Sequence, residues 1–182
     1  AAGAVGSVAG QIAKLKGCRV IGSAGTPEKV AWVRALGFDE VFDYRETDTR
    51  DALREGLDVY FDNVGGPTLE AAIGAMRVRG RVVACGAISQ YNATELPPGP
   101  RNLFLVVTRR LRIEGFIVSD HYDRFPDFLA DMGGWVREGK VRYLGCSNYT
   151  GWQIEKSVRV SEREHLARFD CLQPQYSLVV RD

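Results

Sequence analysis

Histidine is almost missing, with His121 and His165 the only two in 182 residues. The four cysteines, Cys18, Cys85, Cys146 and Cys171, are widely spaced, with no C-x-x-C and no neighbouring histidine pair. These two scarcities argue against a metal site and against a disulfide framework. The thiols are expected to be reduced and mostly packed, as in a cytoplasmic protein. Charge imbalance is missing too: 24 Lys and Arg stand against 23 Asp and Glu, a formal net charge of +1. That gives no general electrostatic reason to bind nucleic acid or an acidic surface. Long apolar runs are absent, the stretch from Leu103 to Val107 being far too short to span a bilayer, and no signal peptide is visible. An initiating Met is lacking as well, so the chain is expected to be a fragment that starts inside a motif. What remains is 45% apolar and 26% charged, the composition of a soluble globular protein.

The motif in question is Ala1-Ala2-Gly3-Ala4-Val5-Gly6-Ser7, a G-x-G-x-x-G pattern with alanine in the first glycine position. It leads into an amphipathic helix over 8–16 and an apolar strand over 18–21. A turn built of small residues lets the backbone approach a pyrophosphate, which rests on the helix N-terminus. Small residues before a helix can equally be a packing contact, so the turn alone decides little.

Further along, the second strand ends in Gly22, Ser23, Ala24 and Gly25, without the Asp or Glu that usually holds a ribose 2′-hydroxyl. Thr26 reads as an N-cap and Pro27 as the first helical residue. Lys29 then lies within a turn of the place for a 2′-phosphate, which favours NADP; its bland alternative is an exposed helix lysine. That helix, over 28–36, is expected to bury Val30, Val33 and Trp32. Strands follow at 41–44, 57–62, 81–86 and 111–116, alternating with helices at 68–76, 103–108 and 125–138 and a short helix within 46–55. The alternation predicts an α/β fold, a parallel sheet covered on both faces with ligands at the strands' carboxyl ends. Arg109, Arg110 and Arg112 read as a solvated edge, since no aromatic platform accompanies them.

Several stretches in one order, AAGAVGSVAGQIAKLKGCRVIG, VYFDNVGG, GAISQYN and PPGPRN, are similar to the zinc-free medium-chain dehydrogenase/reductases. Within them the resemblance is to the prostaglandin reductase and alkenal double-bond reductase branch, over residues 1–143. The resemblance implies an NADP-binding Rossmann domain, a doubly wound parallel sheet, here lacking its first strand. It implies a cytoplasmic, homodimeric enzyme that reduces the C=C bond of α,β-unsaturated aldehydes and ketones, or quinone-like substrates, with NADPH and no metal. Gly3, Ala4, Val5 and Gly6 would line the pyrophosphate, Lys29 and Tyr44 would contact the 2′-phosphate, and Asn63 would lie by the cofactor. Tyr91 would be the catalytic residue, its hydroxyl facing the oxygen on which charge develops; its bland alternative is a loop tyrosine capping the core.

From residue 144 the chain instead resembles the aldo/keto reductases, a (β/α)8-barrel family, through Gly145 to Tyr149 and LQPQY at 172–176. That resemblance implies one βαβ unit with a crossover helix over 152–164. Ser147, Asn148 and Gln173 would hold a nicotinamide carboxamide, and an aromatic near Tyr176 would stack on the ring. Without a barrel around them, Ser147 and Asn148 are only a turn. The domains expected are therefore 1–143 and 144–182, joined near 137–143. As they stand the 182 residues are expected to bind cofactor poorly and turn nothing over. The other readings are an aldo/keto reductase fragment and a non-catalytic nucleotide-binding module.

Overall fold

The computed structural model describes residues 1–95 and 97–174. It divides into two compact units, Ala1–Ile117 and Val118–Asp182.

In the first unit α1 (Ala4–Leu15) is followed by β1 (Ile21–Ala24), α2 (Pro27–Ala35) and β2 (Glu40–Asp43). Then come α3 (Thr49–Ala52), β3 (Leu57–Asp62), α4 (Gly66–Ala75), β4 (Met76–Ala84), α5 (Phe104–Thr108) and β5 (Arg112–Gly115). Every pairing is parallel, β1 with β2 and β3 with β4 with β5. This is the sheet order of a doubly wound fold in two pieces, with β1 and β3 each an edge strand. The amine of Ala1 donates to the Ser23 carbonyl, which lays the start of the chain against β1.

Each piece has its own core. Ile73, Met76, Val82 and Leu111 are buried around β4, with Leu57, Tyr60, Leu69, Leu105 and Val106 packed against them. Val33, Phe38 and Val41 are buried beside β2, with Ala1, Ala2, Val20, Val30 and Leu36 around them. Helix α1 reaches this second core through a glycine: a Cβ on Gly10 would lie 1.9 Å from Cζ of Phe38. The close approach explains a small residue in mid-helix.

Several sequence expectations shift. The second strand runs over Ile21–Ala24 rather than 18–21, because Val20 is drawn into the loop, its N–H donating to the Asp39 carboxylate (2.6 Å). Trp32 is 48% exposed while Val33 is fully buried, so the inward face of α2 turns away from the indole. Strand β4 starts at Met76, not 81, since α4 runs straight into it through an irregularity where Arg79 takes φ 64°. The cysteines are free, as expected, but not packed: Cys18 and Cys171 are exposed and the other two half-buried.

The second unit holds a 3-10 segment (Val118–Arg124), α6 (Phe125–Arg137), β6 (Gly145–Ser147), α7 (Gly151–Arg163) and β7 (Cys171–Gln173). Strands β6 and β7 pair in parallel across α7, one βαβ unit. Thr150 starts α7, its N–H donating to Oε1 of Gln153 (2.8 Å), the reciprocal half of a capping box.

Candidate active site

The first turn of α1 is open to a ligand. Gly3 is its N-cap in extended backbone, and no side chain caps the helix. The amides of Ala4, Val5 and Gly6 therefore stand at a helix start that no side chain caps, the kind of place where a phosphate can be held. A Cβ on Gly6 would lie 3.1 Å from Cα of Ala1, so the chain folds back here at backbone contact. The resemblance had pointed to Gly3, Ala4, Val5 and Gly6, and the structure places them at the N-cap and first turn of α1.

At the end of β1 the chain enters α2 through Thr26, whose Oγ1 accepts the Lys29 N–H (3.3 Å). Lys29 is exposed in the first turn of that helix. Tyr44 follows β2, donating its N–H to the Ala24 carbonyl (3.0 Å). Its ring crosses Gly25, where a Cβ would lie 2.5 Å from the phenolic oxygen. The tyrosine hydroxyl is thus delivered to the residue two positions ahead of α2, and Gly25 must be glycine-sized for it to fit.

The third group gathers at the carboxyl ends of β3 and β4. A Cβ on Gly86 would lie 2.3 Å from Oδ1 of Asn63 and 2.9 Å from the Tyr91 hydroxyl. Both side chains therefore converge on the bare backbone of one glycine. The Tyr91 oxygen accepts from the Ala87 N–H (3.4 Å), and the tyrosine is 68% exposed. With a lone pair so engaged, its proton is free to be donated outward.

One residue of this region was missed in the sequence. Asp62 is 2% exposed, and its Oδ1 accepts from the N–H groups of Val64 and Gly65 (3.0 Å each) and from the Tyr60 hydroxyl (3.1 Å). Burial, and then the charge of Asp62, push the Tyr60 phenol far above its ordinary range. An Asp directly before Asn-x-Gly-Gly was the available signal, since an Asx side chain commonly accepts from amides just ahead of it.

In the second unit Ser147, Asn148 and Gln173 also meet. The Ser147 hydroxyl and the Asn148 N–H both donate to the Gln173 carbonyl (3.2 Å each), with Asn148 at φ 57°. Tyr176 lies outside the described residues.

A cavity of about 380 Å3 is lined by Arg50, Leu53, Arg54, Glu70, Asn102 and Arg109, among others, where α4 ends. Glu70 and Arg109 of this lining serve the fold. Glu70 binds the Arg101 guanidinium (3.1 Å), which with the Arg101 N–H holds its carboxyl below the usual range. Arg109 donates to the Gly74 and Met76 carbonyls (2.7 and 2.6 Å), capping α4, so of the arginine run this one is structural rather than a solvated edge.

Compared with known proteins, residues 4–133 match the family described as zinc-binding dehydrogenase. The chain belongs to the zinc-binding dehydrogenase family. Residues 117–182 also match the aldo/keto reductase family. Among curated proteins the chain is similar to prostaglandin reductase 1 of Rattus norvegicus, 51% identical over 150 residues, covering 79% of this chain and 45% of that protein. It is similar to 2-alkenal reductase (NADP(+)-dependent) of Nicotiana tabacum, 46% identical over 150 residues, covering 79% and 43%. Among solved structures, CurA from Vibrio vulnificus in complex with NADPH matches with a TM-score of 0.72 at 36% identity, over 97% of this chain and 55% of that one. The chain thus spans less than half the length of these curated relatives. They place it in the reductase branch whose motifs it carries, and its parallel α/β first unit is the Rossmann-type nucleotide-binding fold. The family's description names zinc, but among the described residues no three His, Cys, Asp or Glu side chains are grouped to hold a metal ion. The residues present do not fit that metal.

Proposed function

We propose that the first unit is the NADP-binding part of a reductase acting on the C=C bond of α,β-unsaturated aldehydes and ketones. The observation that carries this reading is the convergence of Asn63 and Tyr91 on Gly86, at the strand ends where such sheets bind ligands. Its support from relatives is a 2-alkenal reductase by name NADP(+)-dependent and a CurA structure holding NADPH. The uncapped start of α1 offers three amides to a pyrophosphate. Lys29, with Tyr44 beside Gly25, offers a cation and a hydroxyl to a 2′-phosphate, and no carboxylate ends β1 to repel it. When bound, NADPH supplies a hydride to the β-carbon of the substrate. Tyr91 donates its hydroxyl proton as a hydrogen bond to the substrate oxygen, on which negative charge then grows. Asn63 orders the same corner by its contact at Gly86.

The protein is read as cytoplasmic and homodimeric, with no nucleic-acid or membrane partner. No helix among the described residues is long and apolar enough to cross a membrane. For the division of the chain, we retain a reductase domain over 1–143 and an aldo/keto reductase-like segment over 144–182. Two family matches, over 4–133 and 117–182, and the βαβ unit of β6, α7 and β7 support a chain of two parts, although the matches overlap at 117–133 and the compact units divide after Ile117. There Ser147, Asn148 and Gln173 would have held a nicotinamide carboxamide in a complete barrel.

The test is Tyr91→Phe, assayed with NADPH and an enone in a polypeptide extended to the length of the curated relatives. Loss of the oxyanion donor lowers kcat by about a hundredfold or more and moves KM less. An unchanged kcat means that Tyr91 only packs.

A further inference from the structure

We propose that Asp62 is the positioning residue of this site: its buried carboxylate holds the turn over 63–66, and that turn carries the loop presenting Tyr91. The first half of the chain of contacts is the side chain. One oxygen takes three donors, the Val64 and Gly65 amides and the Tyr60 hydroxyl, in a site only 2% exposed. Gly65 and Gly66 both stand at positive φ, 73° and 55°, a backbone with many other conformations open to it. Charged acceptors bind amides about twice as strongly as neutral ones, so the carboxylate selects this conformation from among them.

The second half is backbone. Cys85 and Gly86 donate to the Asp62 carbonyl (2.8 and 3.2 Å), Ile88 to that of Asn63 (3.3 Å) and Ser89 to that of Val64 (3.1 Å). The Ser89 hydroxyl donates to the Val64 carbonyl as well (2.6 Å). Every donor of this set lies on 85–89 and every acceptor on 62–64. The loop that leads to Tyr91 is therefore templated by the turn, and the turn by Asp62. The catalytic consequence rests on Tyr91 being the oxyanion donor; the positioning itself does not.

Amide hydrogen exchange on the 182-residue chain separates the two, for the parent, Asp62→Ala and Asp62→Asn. Asp62→Ala should speed exchange by about tenfold or more at Val64 and Gly65, which lose their acceptor. The same acceleration should reach Ile88 and Ser89, whose own acceptors the substitution leaves in place. Ala72 and Ile73, in the core of α4, should keep their rates. Asp62→Asn retains a neutral oxygen and should show the same pattern at smaller amplitude, which keeps the test decisive should the alanine variant unfold. Unchanged exchange at Ile88 and Ser89 in both variants overturns the proposal. So does equal acceleration at Ala72 and Ile73, which makes Asp62 a residue of general stability. Because exchange needs no ligand, failure of Tyr91→Phe to affect turnover is read separately and bears only on the role of Tyr91.

Discussion

The two units of the chain are built alike and packed differently. Both are parallel strands crossed by helices, yet every buried side chain among the described residues belongs to the first unit. In the second, α6 and α7 bury none, and Phe125, Phe128, Leu129 and Trp152 are each about half exposed or more. Connectivity is thus no measure of a core. A single βαβ unit covers one face of two short strands, whereas the first unit stacks helices on five strands and closes two clusters. The candidate site residues follow the same divide. The residues that converge on Gly86 rest on β3 and β4 over a packed core, while Ser147, Asn148 and Gln173 meet on strands of three residues with no buried neighbour.

The largest expected effect comes from the edges. With β1 and β3 unpaired on one side, about eight apolar residues added ahead of Ala1 should enter as a parallel strand beside β1. Each buried backbone group so paired removes a penalty of about 1–3 kcal/mol. The thermal midpoint of the first unit should rise by about 4 °C or more, with amide exchange over 145–173 unchanged. An unchanged midpoint contradicts this.

Smaller, and aimed at the contrast in packing, is a pair of truncations. Ile73→Ala empties a fully buried site and should cost about 2–5 kcal/mol. Leu129→Ala, at a residue 54% exposed in the second unit, should stay within about 0.5 kcal/mol. Amide hydrogen exchange under denaturant, read at Ala72 for the first and over α6 for the second, checks both; equal losses would erase the distinction.

Smaller still is Gly10→Ala. Alanine favours a helix by about 1 kcal/mol over glycine. Here its methyl would meet three ring carbons of Phe38 at 1.9–2.7 Å, and overpacking costs about 1–3 kcal/mol. Net destabilisation in a thermal melt is expected, and a stabilised variant would show that the α1 contact is loose.

How much of this was legible in the sequence differs by kind of signal. The alternation of apolar runs and caps located nearly every strand and helix, with Thr26 and Pro27 marking the start of α2 to the residue. Periodicity failed where a side chain competed with it. The Asp39 carboxylate takes the Val20 N–H and delays β1, and a left-handed Arg79 extends β4 backward. Trp32 was misplaced because a large apolar residue next to the helix's inward face resembles one on it. The glycine turn and Lys29 were legible as residue types, whereas Tyr44, Asn63 and Tyr91 were reached only through the family resemblance. What joins them was not legible. Contacts at Gly25 and Gly86 and the three donors on Asp62 depend on distances between segments far apart in sequence, which no local pattern carries.

The central claim, that the corner between β1 and α2 reads a 2′-phosphate, is tested most directly by equilibrium binding of NADPH and NADH. It should be measured on the polypeptide extended to the length of its curated relatives, with and without Lys29→Ala. A charge-assisted contact of this kind is worth about 1.5–3 kcal/mol, so the substitution should weaken NADPH by roughly ten- to a hundredfold and leave NADH nearly unchanged. Equal weakening of both cofactors, or none of either, would contradict it.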